Sequence, residues 1–136
     1  MVRKTFENEI QQLKDEILVL GSMVEQATLD AVEAMKKRDI PWSERIAADD
    51  KKINQKRFEL ENQVMVLIAT QQPMARDLRV IASILEVISE LERMGDYAKG
   101  IAVINIRMGN QPLLKPLVDI PRMAQKGTDM LHRALT

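Results

Sequence analysis

The run PMARDLRVIASILEVISELERMGDYAKGIAVINIRM, residues 73 to 108, decides the fold. A proline opens it and none interrupts it. Val80, Ile81, Ile84, Leu85, Val87, Ile88, Leu91 and Met94 recur at helical spacing and make a wide apolar face. Such a face is suited to contacting two helices rather than one. It continues more thinly through Ala98, Ile101 and Ala102. At about 1.5 Å per residue, a helix over this run is roughly 50 Å long.

Two runs of similar length precede it. The first, from Arg3 to Arg38, places Phe6, Ile10, Leu13, Ile17, Leu20, Val24, Ala27, Ala31 and Ala34 at alternating steps of four and three. That period, about 3.5, belongs to helices packed at a shallow angle. Thr5 is the expected N-cap, and Lys36, Lys37 and Arg38 put positive charge where a helix C-terminus favours it. The second run starts at Pro41-Trp42-Ser43 and reaches about Thr70, with Ile46, Ile53, Leu60, Val64 and Leu67 as its buried stripe. Asp50 and Arg57 fall on the same stripe, where apolar residues are expected.

Connections of a few residues force neighbouring helices to run antiparallel. The expected fold is therefore all-α: an up-down-up three-helix bundle with shallow crossing angles over residues 3–109. Gly109-Asn110 reads as a helix C-cap. A proline-marked linker over 110–121 and the start of a fourth helix over 122–136 follow. Offset by 100 residues, this tail repeats part of the first helix. Leu20 falls on Ile120, Met23 on Met123, Thr28 on Thr128 and Met35 on Leu135. The match points to a second bundle of which this chain holds only the beginning.

Composition narrows the function. Of 136 residues 46% are hydrophobic, with one Trp, one Tyr and two Phe, so Leu, Ile, Val, Ala and Met carry the core. Twenty basic residues balance twenty acidic ones, which argues against nucleic acid or another polyanion as a general partner. Cysteine is absent, which removes disulfides, thiolate catalysis and Cys-based metal sites. The start MVRKTFENEI has no apolar core of a secretory signal, and no charge-free stretch can span a bilayer. A cytoplasmic protein is expected, peripheral to membrane complexes at most.

The catalytic inventory is thin. His132 is the sole histidine and reads as a helical surface residue. No HExxH, P-loop, GxSxG or dinucleotide fingerprint occurs. Gly95 and Gly100 lie inside the third helix, where each costs nearly 1 kcal/mol relative to alanine. Close approach by another helix is the ordinary reason for tolerating them.

The acidic residues carry more information. Glu92 and Asp96 are four apart and share a helix face, a spacing that slightly destabilises an isolated helix. If the second and third helices turn around residues 72–74, facing residues have numbers summing to about 146. Asp50 then faces Asp96, Asn54 faces Glu92, and Asp49 stands at the margin. Clustered oxygen ligands of this kind suit magnesium, calcium, manganese or iron, with zinc a further candidate. The competing reading has Arg45, Arg57, Arg93 and Lys99 neutralising the patch through surface ion pairs.

The segments Pro73-Met74-Ala75-Arg76-Asp77-Leu78-Arg79 and Leu91-Glu92-Arg93-Met94-Gly95-Asp96-Tyr97-Ala98 resemble the third helix of the PhoU family of phosphate-uptake regulators. Leu20-Gly21-Ser22-Met23-Val24-Glu25 and Asp49-Asp50-Lys51-Lys52-Ile53-Asn54 extend the resemblance over residues 5 to 109. It implies a fold of two repeated three-helix bundles and a regulator without enzymatic activity. It also implies partners: the ATPase subunit of a phosphate-import ABC transporter and a membrane sensor histidine kinase. Phosphate-starvation signalling would be restrained when phosphate is plentiful, and homodimers or larger homo-oligomers are expected. Family metal clusters sit on Glu/Asp-x-x-x-Asp motifs, which Glu92 and Asp96 match. Asp50 with Asn54 departs from that motif, because an amide brings no negative charge. Ser89 stands where the family often has Asp or Asn, and Glu86 where it often has Lys.

Overall fold

A computed structural model describes residues 2–136. Four helices follow one another: α1 (Val2–Lys36), α2 (Ile40–Gln71), α3 (Ala75–Met108) and α4 (Asp119–Leu135), with no strand among the described residues. Helices α1, α2 and α3 each pack against the other two, and α4 lies along α1.

Short turns impose the up-down-up order. Asp39 caps α2 by accepting from the Trp42 amide at 3.0 Å, and Pro41 sits in the first turn, where its missing N–H costs nothing. Gln72, left-handed with φ 44°, closes α2 through its amide on the Ile68 carbonyl at 3.2 Å. Pro73 then prevents continuation. Helix α1 begins at Val2, so Thr5 lies within the helix rather than capping it. Helix α4 begins at Asp119, three residues before the expected start. Pro121 had marked a boundary, but it falls in the first turn, where proline is compatible with helix.

The core is the expected stripe. Phe6, Ile10, Leu13, Ile17, Leu20 and Val24 of α1 meet Ile53, Leu60, Val64 and Leu67 of α2 and Ile81, Ile84, Ile88 and Leu91 of α3. Each fully buried Leu or Ile here contributes about 1.5–3 kcal/mol. Nearer the α1–α2 turn the packing passes to small residues, with Ala31, Ala34 and Ala102 around Ile46. The third helix buries a narrower stripe than its composition implies. Val80 and Val87 are more than a third exposed, at the rim of a groove shared with Leu18, Ala134 and Leu135.

Polar contacts fasten both ends of this dry core. At one end Arg3 of α1 donates to the buried Asp77 of α3 at 2.6 Å. At the other, Asn105 is fully buried. It donates to Ser43 Oγ at 2.7 Å and to the Ala34 carbonyl at 3.3 Å, and it accepts from Arg38 Nη1. Arg38 Nη2 donates to the carbonyls of Gly109 at 2.6 Å and Gln111 at 3.0 Å. The Arg38 side chain therefore caps the end of α3, while its backbone amide closes α1 on the Met35 carbonyl at 3.1 Å.

Candidate functional site

The seam between α2 and α3 carries the chemistry. Asp50 follows Ile46 by four residues and precedes Ile53 by three, so the helical repeat places it on the buried stripe. Its side chain is only 4% exposed. Gly95 makes room for it: a Cβ there would stand 3.2 Å from Ile53 Cγ2 and 3.7 Å from Asp50 Oδ1. Close approach explains Gly95, as expected. It does not explain Gly100, where a Cβ would meet nothing within 4 Å.

The partners of Asp50 share one of its oxygens. Asn54 Nδ2 donates to Oδ2 at 3.2 Å, and Lys99 Nζ reaches the same atom from α3 at 4.0 Å. Burial, chiefly, and then the charge of Asp96 push the Asp50 carboxyl above its ordinary range, while Lys99 and Asn54 oppose the shift. Glu92 is also raised, first by burial and then by Asp96, with which it shares a side-chain hydrogen bond; Arg57 opposes from α2. Arg57 is partly buried, stacks over the Phe58 ring at 4.2 Å and donates to Glu61 at 3.1 Å.

The hairpin register thus brings Asp50 and Asp96 into each other's field, with Glu92 beside Asp96. Asn54 spends its amide on Asp50. Asp49 is exposed, lies 3.5 Å from Lys52 and lines a cavity of about 270 Å³ together with Met23, Ala27 and Ile53. Among the described residues no three acidic or histidine side chains converge as ligands of one ion. As arranged, these carboxylates do not form a closed coordination set. Of the cations expected to pair with the patch, Lys99 reaches Asp50, while Arg57 pairs with Glu61 and acts on Glu92 only through its field. His132, at the surface, sits 3.6 Å from Glu25 of α1.

A buried carboxylate with a raised pKa makes a directional prediction. The folded chain keeps the Asp50 proton to higher pH than the unfolded chain does. The associated stability is full below the ordinary value of 3.8 and is lost as pH rises through the raised one. Asp50→Asn removes this loss, since an amide is neutral at every pH. At pH 7 the variant is expected to melt at a higher temperature than the parent chain. The gain should shrink as pH falls toward 4. Thermal melts across pH 4 to 7 check it, and a lower melting temperature at pH 7 would refute it.

Comparison with known proteins bears on this arrangement. The family described as the PhoU domain matches residues 7–104. The chain is 37% identical to the phosphate-specific transport system accessory protein PhoU homolog of Clostridium acetobutylicum, over 99% of this chain and 62% of that protein. With the phosphate-specific transport system accessory protein PhoU of Escherichia coli it shares 33% identity, over 96% of this chain and 54% of the other. The crystal structure of the phosphate transport system regulatory protein PhoU from Streptococcus pneumoniae superposes with a TM-score of 0.85 at 31% identity. That match covers 96% of this chain and 61% of the other. The chain therefore spans between 54% and 62% of the length of these relatives.

Proposed function

The chain belongs to the PhoU family, and from that membership we propose that it regulates phosphate transport and phosphate-starvation signalling through protein–protein contacts. The observation that carries the reading is identity of 37% along 99% of the chain to a protein named as a phosphate-specific transport accessory protein. The helical surface and the lack of any recognisable nucleophile–base pair in the sequence accord with an adaptor that acts by binding and conformational bias. Proposed partners are the ATPase subunit of a phosphate-import ABC transporter and a sensor histidine kinase, met at the cytoplasmic face of the membrane. No described helix is long and apolar enough to cross a membrane. Self-association as a homodimer or larger homo-oligomer is part of the same proposal.

Co-purification with the transporter ATPase and with the kinase's cytoplasmic portion tests the partner assignment. Saturable binding to either is the expected result. Binding to neither, by a chain whose helicity is intact, would overturn it.

Metal binding is proposed separately, on Glu92 and Asp96 with Asp50 as the third carboxylate. Two acids in mutual contact on α3 and a third in their field support it. Closing a coordination set requires these side chains to turn toward a common point and Lys99 to give way. Iron, manganese, magnesium or zinc content measured after dialysis against each metal should be stoichiometric in the parent chain. It should fall at least about tenfold in Asp96→Asn, in line with the loss of a ligand carboxylate. Absence of bound metal at saturating supply leaves the second reading, a structural or oligomerising helical bundle without metal. That reading is favoured by the pairing of Asp50 with Lys99 and Asp49 with Lys52.

A further inference from the structure

The cleft between α1 and α2 reaches a carboxylate of the core. Its walls are apolar, Met23 and Ala27 of α1 facing Ile46 and Ile53 of α2, and its volume is about 270 Å³. Pockets for drug-sized ligands begin near roughly 300 Å³, so this one suits a molecule or side chain of few heavy atoms. Gly95 of α3 forms its floor, beside Asp50, which is only 4% exposed.

Asp50 uses only half of its carboxylate. Both described partners, Asn54 and Lys99, meet Oδ2. Oδ1 has no described donor, yet it is not sealed: among the described residues, the side-chain atom both sealed and unpartnered is Arg57 Nε. It lies 3.7 Å from where a Gly95 Cβ would stand, so the missing side chain leaves room beside it. An ionised oxygen in a largely apolar cavity, with space and no donor, is a strong acceptor. The surrounding charges set the sign of what it accepts. Asp49 and Lys52 hold each other at 3.5 Å, and Gln26 donates to Asp30 at 2.8 Å. Lys99 stands 4.0 Å from Oδ2, the outer limit of pairing. Asp30, Asp49 and Asp50 outnumber Lys52 and Lys99 in the lining, which leaves the cleft negative.

We propose that this cleft binds a primary alkylammonium group, with its aliphatic stem along the apolar walls and its ammonium on Asp50 Oδ1. The geometry separates that head group from other cations. A guanidinium seeks both oxygens of a carboxylate, and Oδ2 is taken. A hard metal ion demands several oxygen ligands, which the walls of this cleft do not supply. An ammonium is a compact charge on a flexible stem, and one acceptor oxygen suffices to seat it. Lys99 already brings the same chemistry to the same carboxylate from α3. The proposal rests neither on the role in phosphate regulation nor on metal binding.

Chemical-shift titration of the full chain with n-butylammonium tests the site, with n-butanol as the uncharged mimic of the same stem. Saturable shifts are expected at the methyl groups of Met23, Ile46 and Ile53, and the ammonium should bind at least about tenfold more tightly than the alcohol. Asp50→Asn keeps the side-chain shape and is expected to erase that preference. Lys99→Gln removes the resident cation and is expected to tighten the ammonium roughly three- to tenfold. N-acetyl-lysine methylamide distinguishes the two sources of such a group. Affinity equal to that of butylammonium or above it assigns the site to a lysine side chain of a partner protein; binding of the free amine alone assigns it to a small amine. Absence of saturable shifts, or equal affinity for amine and alcohol, overturns the proposal. So does a preference that survives in Asp50→Asn, or weaker binding of the amine in Lys99→Gln.

Discussion

Asn105→Leu is expected to destabilise the chain by about 3 kcal/mol and to lower its melting temperature by roughly 10 °C. Leucine keeps the four side-chain heavy atoms and the branch at Cγ and is the bulkier residue, so a cavity is not the cause. The loss comes from a buried hydroxyl left without its partner and from contacts withdrawn from two further groups, of which the Ala34 carbonyl keeps the Asp39 amide at 2.8 Å. Ser43 Oγ is completely buried and receives the Asn105 amide at 2.7 Å. The Ala34 carbonyl takes the same amide at 3.3 Å. Arg38 Nη1 loses its acceptor, while Nη2 keeps the carbonyls of Gly109 and Gln111. Ser43→Ala removes one contact and should cost only about 1 kcal/mol. Urea denaturation monitored by circular dichroism measures both. A midpoint for Asn105→Leu indistinguishable from the parent would mean that solvent satisfies the network.

Gly95→Val is the second large effect, a loss of about 2–3 kcal/mol through overpacking. The first added carbon already stands 3.2 Å from Ile53 Cγ2, tighter than ordinary contact. Valine adds two more carbons, and a helix allows it essentially one rotamer, so it cannot turn them away. The seam must open or Ile53 must leave its rotamer. Either way the Asp50 carboxyl, 3.7 Å from the same Cβ position, loses its seat against α3. Gly100→Ala is the control on the same helix. With nothing within 4 Å of the new carbon, it should stabilise by up to about 1 kcal/mol through helix propensity. Destabilisation by Gly100→Ala comparable to that of Gly95→Val would show that the effect belongs to the helix and not to the seam.

The architecture was readable in the sequence because its signals are local and repeated. The four-three alternation from Phe6 to Val24 identifies the residues that α1 buries. Pro41 and Pro73 mark the turns, and counting outward from residues 72–74 places Asp50 in the field of Asp96. What escaped notice depends on side chains that meet over long sequence separations. Asn105 lies in a charge-free stretch, and nothing nearby announces that Ser43 and Arg38 will close around it. Arg38 read as a favourable charge on its own helix, yet a positive φ sends it to another. Val80 and Val87 read as core because periodicity reports a face, not how much of it a neighbour covers. At the acidic seam, residue spacing identified Asp50, Glu92 and Asp96, with Lys99 among the neutralising cations, but not that Asn54 would turn to Asp50.

The fastening at both ends of the bundle bears on a different hazard. A stripe of similar aliphatic side chains repeating every three and four residues matches itself again after one turn, about 5.4 Å along the axis. Apolar packing alone discriminates poorly against such a slip, since one leucine or isoleucine replaces another. Arg3 on Asp77 at one end and Asn105 within its buried network at the other find no equivalent partner one turn away. They act as index pins, giving interchangeable helices a single alignment.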